Sequence, residues 1–188
     1  MFNNKDRKIL TIGSHPDDIE IGCGGFLTKY KSDNKLFGLI CSGGEMGGIK
    51  DQRLKEARAA GKILGATTSI FNEFKDGFIR HDSKLVDQLE KYIMEVNPDI
   101  VFTHSPDDRH QDHIAVSKAT QAAMRNSNAT LMFYPSWNIR TPFNYNVVVD
   151  IDVKEKQKLL NVFMSLKDKP YMRVTDNTEK FYLTYLSI

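Results

Sequence analysis

The chain has 188 residues, 40% hydrophobic and 27% charged, with 26 basic and 24 acidic side chains for a formal charge of +2. That length and balance fit one globular domain able to bury its own core, and they exclude disorder, coiled coil and collagen-like repeats. No long run of like charges offers a nucleic-acid or anionic-membrane footprint, and no apolar stretch approaches a membrane span. Residues 9–12, an apolar run ending at Gly13, predict a first strand, and residues 19–30 a helix weakened by Gly22, Gly24 and Gly25. Residues 36–41 predict a second strand, closed by Gly43 and Gly44. Leu54, Ala57, Gly61 and Leu64 recur at helical spacing over 52–64, and Gly65 suits the left-handed position past a helix end. A short strand at 69–71 follows. An amphipathic helix then carries Leu85, Val86, Leu89, Ile93 and Val96 and stops at Asn97-Pro98. Residues 99–103 predict a further strand and 114–124 a further helix. Beyond residue 130 the rhythm changes. Strands are predicted at 131–134 and 146–149, one helix carries the stripe Leu159, Leu160, Phe163 and Leu166, and a closing strand spans 181–188.

Strands alternating with helices predict an α/β fold with a mostly parallel sheet covered on both faces, in one domain over 1–188. Cys23 and Cys41 form no C-x-x-C pair and read as reduced thiols, and the polar start lacks a leader-like apolar run. The expected compartment is the cytosol.

Four of the five histidines fall in two clusters. Ser14-His15-Pro16-Asp17-Asp18-Ile19-Glu20 follows the first strand, and the stretch from His104 to His113 follows the strand at 99–103. In open α/β sheets ligands bind beyond the carboxyl ends of strands, so two loops distant in sequence can converge on one site. A catalytic zinc takes three ligands from His, Asp, Glu or Cys and leaves a position for water. His15 and Asp18, three apart at a strand-to-helix turn, can chelate one ion, with His113 completing the set. Asp17 is then free to take a proton from the attacking water. His110 is left to hold an oxyanion or protonate a leaving nitrogen, and Asp112 to orient a histidine.

Blander readings exist for each piece. Asp17 and Asp18 can simply cap the helix behind them. The glycine-rich stretch 42–48 can cradle a phosphate, although it lacks the Gly-Lys-Ser/Thr of a P-loop, or serve only as a turn. Arg53 and Glu56, three apart, can form a surface pair. Cys23 reads as a small buried residue, His81 as a surface residue, and His104 equally as site lining or strand-end structure. Trp137 reads as a packing aromatic, with sugar stacking as the alternative.

Four motifs make the chain resemble the PIG-L/LmbE-like N-deacetylases: Ser14-His15-Pro16-Asp17-Asp18; Gly44-Glu45-Met46-Gly47 with Arg53-x-x-Glu56; Lys75-Asp76-Gly77; and His110-x-Asp112-His113. The resemblance runs in order over residues 8–120. It implies a Rossmann-like core at about 8–130, a short C-terminal portion at 131–188, and one catalytic Zn2+ per chain, with Fe2+ or another divalent ion as substitute. It also implies His15, Asp18 and His113 as metal ligands, Asp17 as base, His110 as oxyanion-stabilising histidine and Asp112 as the acidic residue that supports a catalytic histidine. Glu45, Arg53 and Asp76 fall where relatives contact the sugar. The chain departs from the family at Ser14, Ile19 and Gln111, none of which removes a ligand.

The implied function is hydrolysis of the N-acetyl group of an N-acetylglucosamine-type amino sugar or its conjugate. The partner is then a small amino-sugar conjugate, with no nucleic acid and no membrane span. The short C-terminal portion predicts an open cleft that tolerates bulky aglycones or is covered in a homo-oligomer. The alternatives are a metal-dependent phosphoesterase, which needs two ions, and a non-catalytic sugar- or nucleotide-binding domain, which needs no base such as Asp17.

Overall fold

The computed structural model describes residues 5–136, 145–169 and 180–186. Seven strands form one sheet: β1 (Lys8–Gly13), β2 (Lys35–Ser42), β3 (Thr67–Phe74), β4 (Ile100–His104), β5 (Thr130–Tyr134), β6 (Val147–Asp150) and β7 (Lys180–Leu186). Their order is β3-β2-β1-β4-β5-β7-β6. The first five are parallel, as the sequence predicts, while β7 runs antiparallel to both β5 and β6. Among the described residues, five helices lie between strands: α1 (Asp18–Tyr30), α2 (Lys50–Leu64), α3 (Ser83–Val96), α4 (Gln111–Ala123) and α5 (Val153–Leu160).

Strand side chains alternate between two cores, which is why the parallel strands read as continuous apolar runs. Ile100, Phe102, Met132 and Tyr134 join Phe26 of α1, Ala57 of α2 and Leu159 of α5 on one face. Leu10, Ile12, Val101, Leu131 and Phe133 join Leu85 and Leu89 of α3 and Val116 of α4 on the other. The glycines of α1 serve close approach. A Cβ on Gly22 would lie 2.3 Å from the ring of Tyr134, and one on Gly25 would lie 2.4 Å from Ile151. The helix gives up propensity so that β5 and the segment before α5 can press against it.

Some boundaries differ from the sequence reading. The strand expected at 69–71 extends over Thr67–Phe74, paired with β2 through a register shift. The stripe from Leu159 to Leu166 does not lie on one helix: α5 ends at Leu160, and a separate 3-10 turn, Met164–Leu166, carries the stripe on. Phe163 and Leu166 are still buried because the tighter turn returns them to the same core. The helix expected from 114 begins at Gln111, so Asp112 and His113 stand on its first turn rather than in a loop. Trp137 lies outside the described residues. No helix among the described residues is long and apolar enough to cross a membrane.

Candidate metal centre and catalytic cleft

β1 and β4 are adjacent, and the chain runs outward from them in opposite directions, through β2 and β3 on one side and β5 on the other. This is the switch point at which an open α/β sheet leaves a crevice. The two histidine-containing clusters meet there. The cleft holds about 280 Å³, and its lining includes His15, Asp17, Asp18, Arg53, His110 and His113.

At the end of β1 the chain turns sharply into α1. The Asp18 Oδ2 accepts hydrogen bonds from the backbone N–H of Ser14 (3.0 Å) and of His15 (2.7 Å). The turn thus fixes the carboxylate. Neither aspartate caps α1 as the bland reading had it: Asp17 occupies the cap position without a side-chain hydrogen bond. Its backbone sits instead at φ +135°, a left-handed conformation costing about 1–3 kcal/mol for a non-glycine residue and characteristic of functional sites.

His15 Nδ1 lies 3.2 Å from Asp18 Oδ2 and 3.4 Å from His113 Nε2, and His113 Nε2 lies 3.3 Å from Asp18 Oδ1. One ligand atom from each of His15, Asp18 and His113 falls within 4.8 Å of the others. Two imidazoles and a carboxylate aimed at one point form a donor set that suits a divalent ion. Each imidazole is held from its far side by a carboxylate. Asp112 Oδ2 lies 3.1 Å from His15 Nε2, and Asp76 Oδ1 lies 3.0 Å from the same nitrogen. Asp108 Oδ2 lies 3.0 Å from His113 Nδ1. The two histidines therefore turn opposite ring nitrogens toward the common point. Such carboxylate–histidine pairs fix tautomer and ring direction in metal sites. The histidine whose ring nitrogen Asp112 meets is His15.

His110 caps α4, its Nδ1 accepting the backbone N–H of Asp112 at 3.2 Å. An accepting Nδ1 places the proton of the neutral ring on Nε2, making His110 a donor on its other side. Burial, together with the charges of His113 and His15, lowers its pKa and favours that neutral form.

Asp17 is buried, and burial with the Asp18 charge raises its pKa to about 7, although Arg53 pulls the other way. Arg53 Nη2 lies 3.1 Å from Asp17 Oδ1, and the guanidinium also donates to the carbonyls of Pro16 (3.0 Å) and Gly44 (2.6 Å). Arg53 and Glu56 are not a surface pair: both are buried, and Glu56 instead accepts hydrogen bonds from Ser165. Spacing alone cannot show that the helix carrying them is covered.

The glycine-rich stretch is tied to its neighbours. Gly47 N–H donates to Gly44 carbonyl and Met46 N–H to Asp76 Oδ2, while Glu45 Oε1 accepts from Asp76 N–H. Amides spent in this way are not free to cradle a phosphate. Arg53 and Asp76 line the cleft, with hydrogen bonds to protein atoms as well, and Glu45 adjoins it through Asp76.

Two further residues belong here: His104, which the sequence left open between site lining and strand-end structure, and Asp108, to which it gave no role. His104, fully buried at the end of β4, stacks face to face on His113 with centroids 3.9 Å apart, and burial holds its pKa down at about 4. Asp108 was visible only as one of several acidic residues in a polar stretch. Its position five residues before His113 is the sole hint.

The sequence profile of the PIG-L family, described as GlcNAc-PI de-N-acetylase, matches residues 10–124. The chain belongs to the PIG-L family. The uncharacterized deacetylase YaiS of Escherichia coli K12 is 38% identical over 131 residues, covering 65% of this chain and 70% of that protein. A 1D-myo-inositol 2-acetamido-2-deoxy-alpha-D-glucopyranoside deacetylase of Saccharomonospora viridis is 29% identical over 164 residues, covering 67% and 61%. A 4-oxalmesaconate hydratase of Pseudomonas putida is 27% identical over 138 residues, covering 65% and 53%. Apart from YaiS, these PIG-L relatives are thus spanned for less than two thirds of their length. Among solved structures, the conserved protein TT1542 from Thermus thermophilus superposes with a TM-score of 0.83 at 23% identity, covering 97% of both chains. That likeness establishes the Rossmann-like α/β fold.

Proposed function

We propose that this PIG-L chain is a metal-dependent N-deacetylase that hydrolyses the N-acetyl amide of an N-acetylglucosamine-type sugar or conjugate. The observation that carries the reading is the placing of Asp17, raised to about 7, beside the convergent His15–Asp18–His113 donor set in one cleft that also holds His110.

His15, Asp18 and His113 would hold the ion, Zn2+ or Fe2+. When bound, it supplies Lewis acidity toward the amide carbonyl and a water of lowered pKa. Asp17, poised near neutral pH, takes the proton of the attacking water. His110, a donor through Nε2, holds the oxygen on which negative charge develops. The proton collected by Asp17 then serves the departing nitrogen, leaving acetate and a free amine. A cleft of about 280 Å³ suits one sugar ring, with the aglycone outside. Two free, buried cysteines fit a reducing, cytosolic setting.

Acetate release across a panel of N-acetylglucosamine conjugates, before and after chelation, tests the reading. Release that chelation abolishes and zinc or ferrous iron restores is the expected result. Absence of release from every conjugate overturns it, as does hydration of 4-oxalmesaconate, the reaction named for the Pseudomonas relative.

A further inference from the structure

We propose that Asp108 is a positioning residue that aims His113 at the metal and sets His110 beside it. The proposal rests on the reading of His15, Asp18 and His113 as the metal-holding set.

Asp108 is 1% exposed and saturates both carboxylate oxygens with donors. Oδ1 accepts the backbone N–H of His110 at 2.9 Å, which fixes the residue that caps α4. Oδ2 faces His113 Nδ1 at 3.0 Å and also accepts the hydroxyl of Ser136, at the cleft edge of β5. With a metal in place of the Nε2 proton, a carboxylate there would hold the remaining His113 proton on Nδ1 and so direct the Nε2 lone pair, on the nitrogen facing His15 and Asp18, toward the ion.

The consequence is a division of labour between two acids in one short stretch. Asp112 holds His15 from Nε2, whereas Asp108 holds His113 from Nδ1. Asp112 has company on His15, because Asp76 lies at the same nitrogen. Among the described residues Asp108 is the one carboxylate hydrogen-bonded to His113 Nδ1. Its loss leaves that N–H without its acceptor and lets the ring rotate.

The test measures the zinc Kd of the full chain and of Asp108→Ala and Asp108→Asn by competition with a chromophoric chelator. It adds the visible spectrum of each protein saturated with Co2+. We expect Asp108→Ala to bind zinc about 10- to 100-fold more weakly. Asp108→Asn, whose carbonyl can still accept from His113, should lose less. The cobalt bands of both should shift because the ligand field at His113 changes. If Asp108→Ala does not fold, Asp108→Asn carries both readings. A wild-type Kd, or weaker binding with a wild-type cobalt spectrum, overturns the proposal alone. A wild-type chain that binds neither metal overturns the metal reading and the proposal together.

Discussion

Arg53 Nη2 lies 3.1 Å from Asp17 Oδ1, and the same guanidinium grips the carbonyls of Pro16 and Gly44. One side chain from α2 therefore clamps the strained Asp17 turn to the glycine-rich stretch and places a positive charge beside the proposed base. Burial and Asp18 raise Asp17, and Arg53 opposes them. Removing the charge while keeping some hydrogen bonding, as in Arg53→Gln, should raise Asp17 further above about 7. The base works as the carboxylate, so the acid limb of kcat/KM should move to higher pH. A pH–rate profile checks the sign. A limb that stays in place or moves down argues against Asp17 as the titrating base.

Asp17 and Asp18 should prove separable despite being neighbours. Asp17→Asn keeps shape and removes the base, so metal content should stay near wild type while kcat falls about 10²- to 10⁴-fold. Asp18→Ala removes a donor whose Oδ2 two backbone amides hold in place, so metal occupancy should drop, and excess metal should partly restore activity. Elemental analysis alongside kinetics separates the two. Loss of metal in Asp17→Asn with retention in Asp18→Ala reverses the assignment.

Metal binding should release protons. His113 is raised to about 9: burial would lower it, but the Asp18 charge and the Asp108 hydrogen bond outweigh burial. At pH 7 it is mostly protonated without an ion, and a coordinated imidazole must be neutral. Zinc affinity should therefore tighten as pH rises from 7 toward 9, by about tenfold per unit for each proton displaced. Calorimetry in buffers of different ionisation enthalpy should give about one ion per chain and at least one proton released. Binding independent of pH would mean that His113 is not a ligand.

Gly22→Ala should destabilise the protein although alanine is the better helix former by about 1 kcal/mol. The new methyl would meet the buried Tyr134 ring at 2.3 Å, and Tyr134 is pinned by its hydroxyl donating to the Ile12 carbonyl at 2.8 Å. Overpacking of this kind costs about 1–3 kcal/mol. Thermal melting should show a lower Tm, at about 2–4 °C per kcal/mol for a chain of this size. A higher Tm would mean that propensity, not contact, governs this position.

Much of the fold was legible because a parallel sheet buried on both faces leaves long apolar runs, and amphipathic helices leave a 3.6-residue stripe. β1, β2, β4, α2 and α3 appear within a few residues of their predicted places for this reason. The region after residue 130 was less legible. A tight 3-10 turn can continue the stripe of the preceding helix, as Phe163 and Leu166 do, without leaving a mark in apolar spacing.

The sequence by itself determined that two Asp/His clusters follow two strands, and that His15 and Asp18 sit three apart on one turn. Local chain geometry suffices for that. Only the tertiary structure decided which partner each group finds, because partners come from segments that the sheet order brings together. Adjacency of β1 and β4 puts His113 beside His15, 98 positions apart, and the covering of α2 turns Arg53 from a surface residue into a clamp. Asp108 and Asp112 look alike in sequence, two acids within one polar stretch. Asp108, in the turn before α4, faces His113, whereas Asp112, on the first turn of α4, faces His15, and hydrogen bonding at the far ring nitrogen is what aims each imidazole.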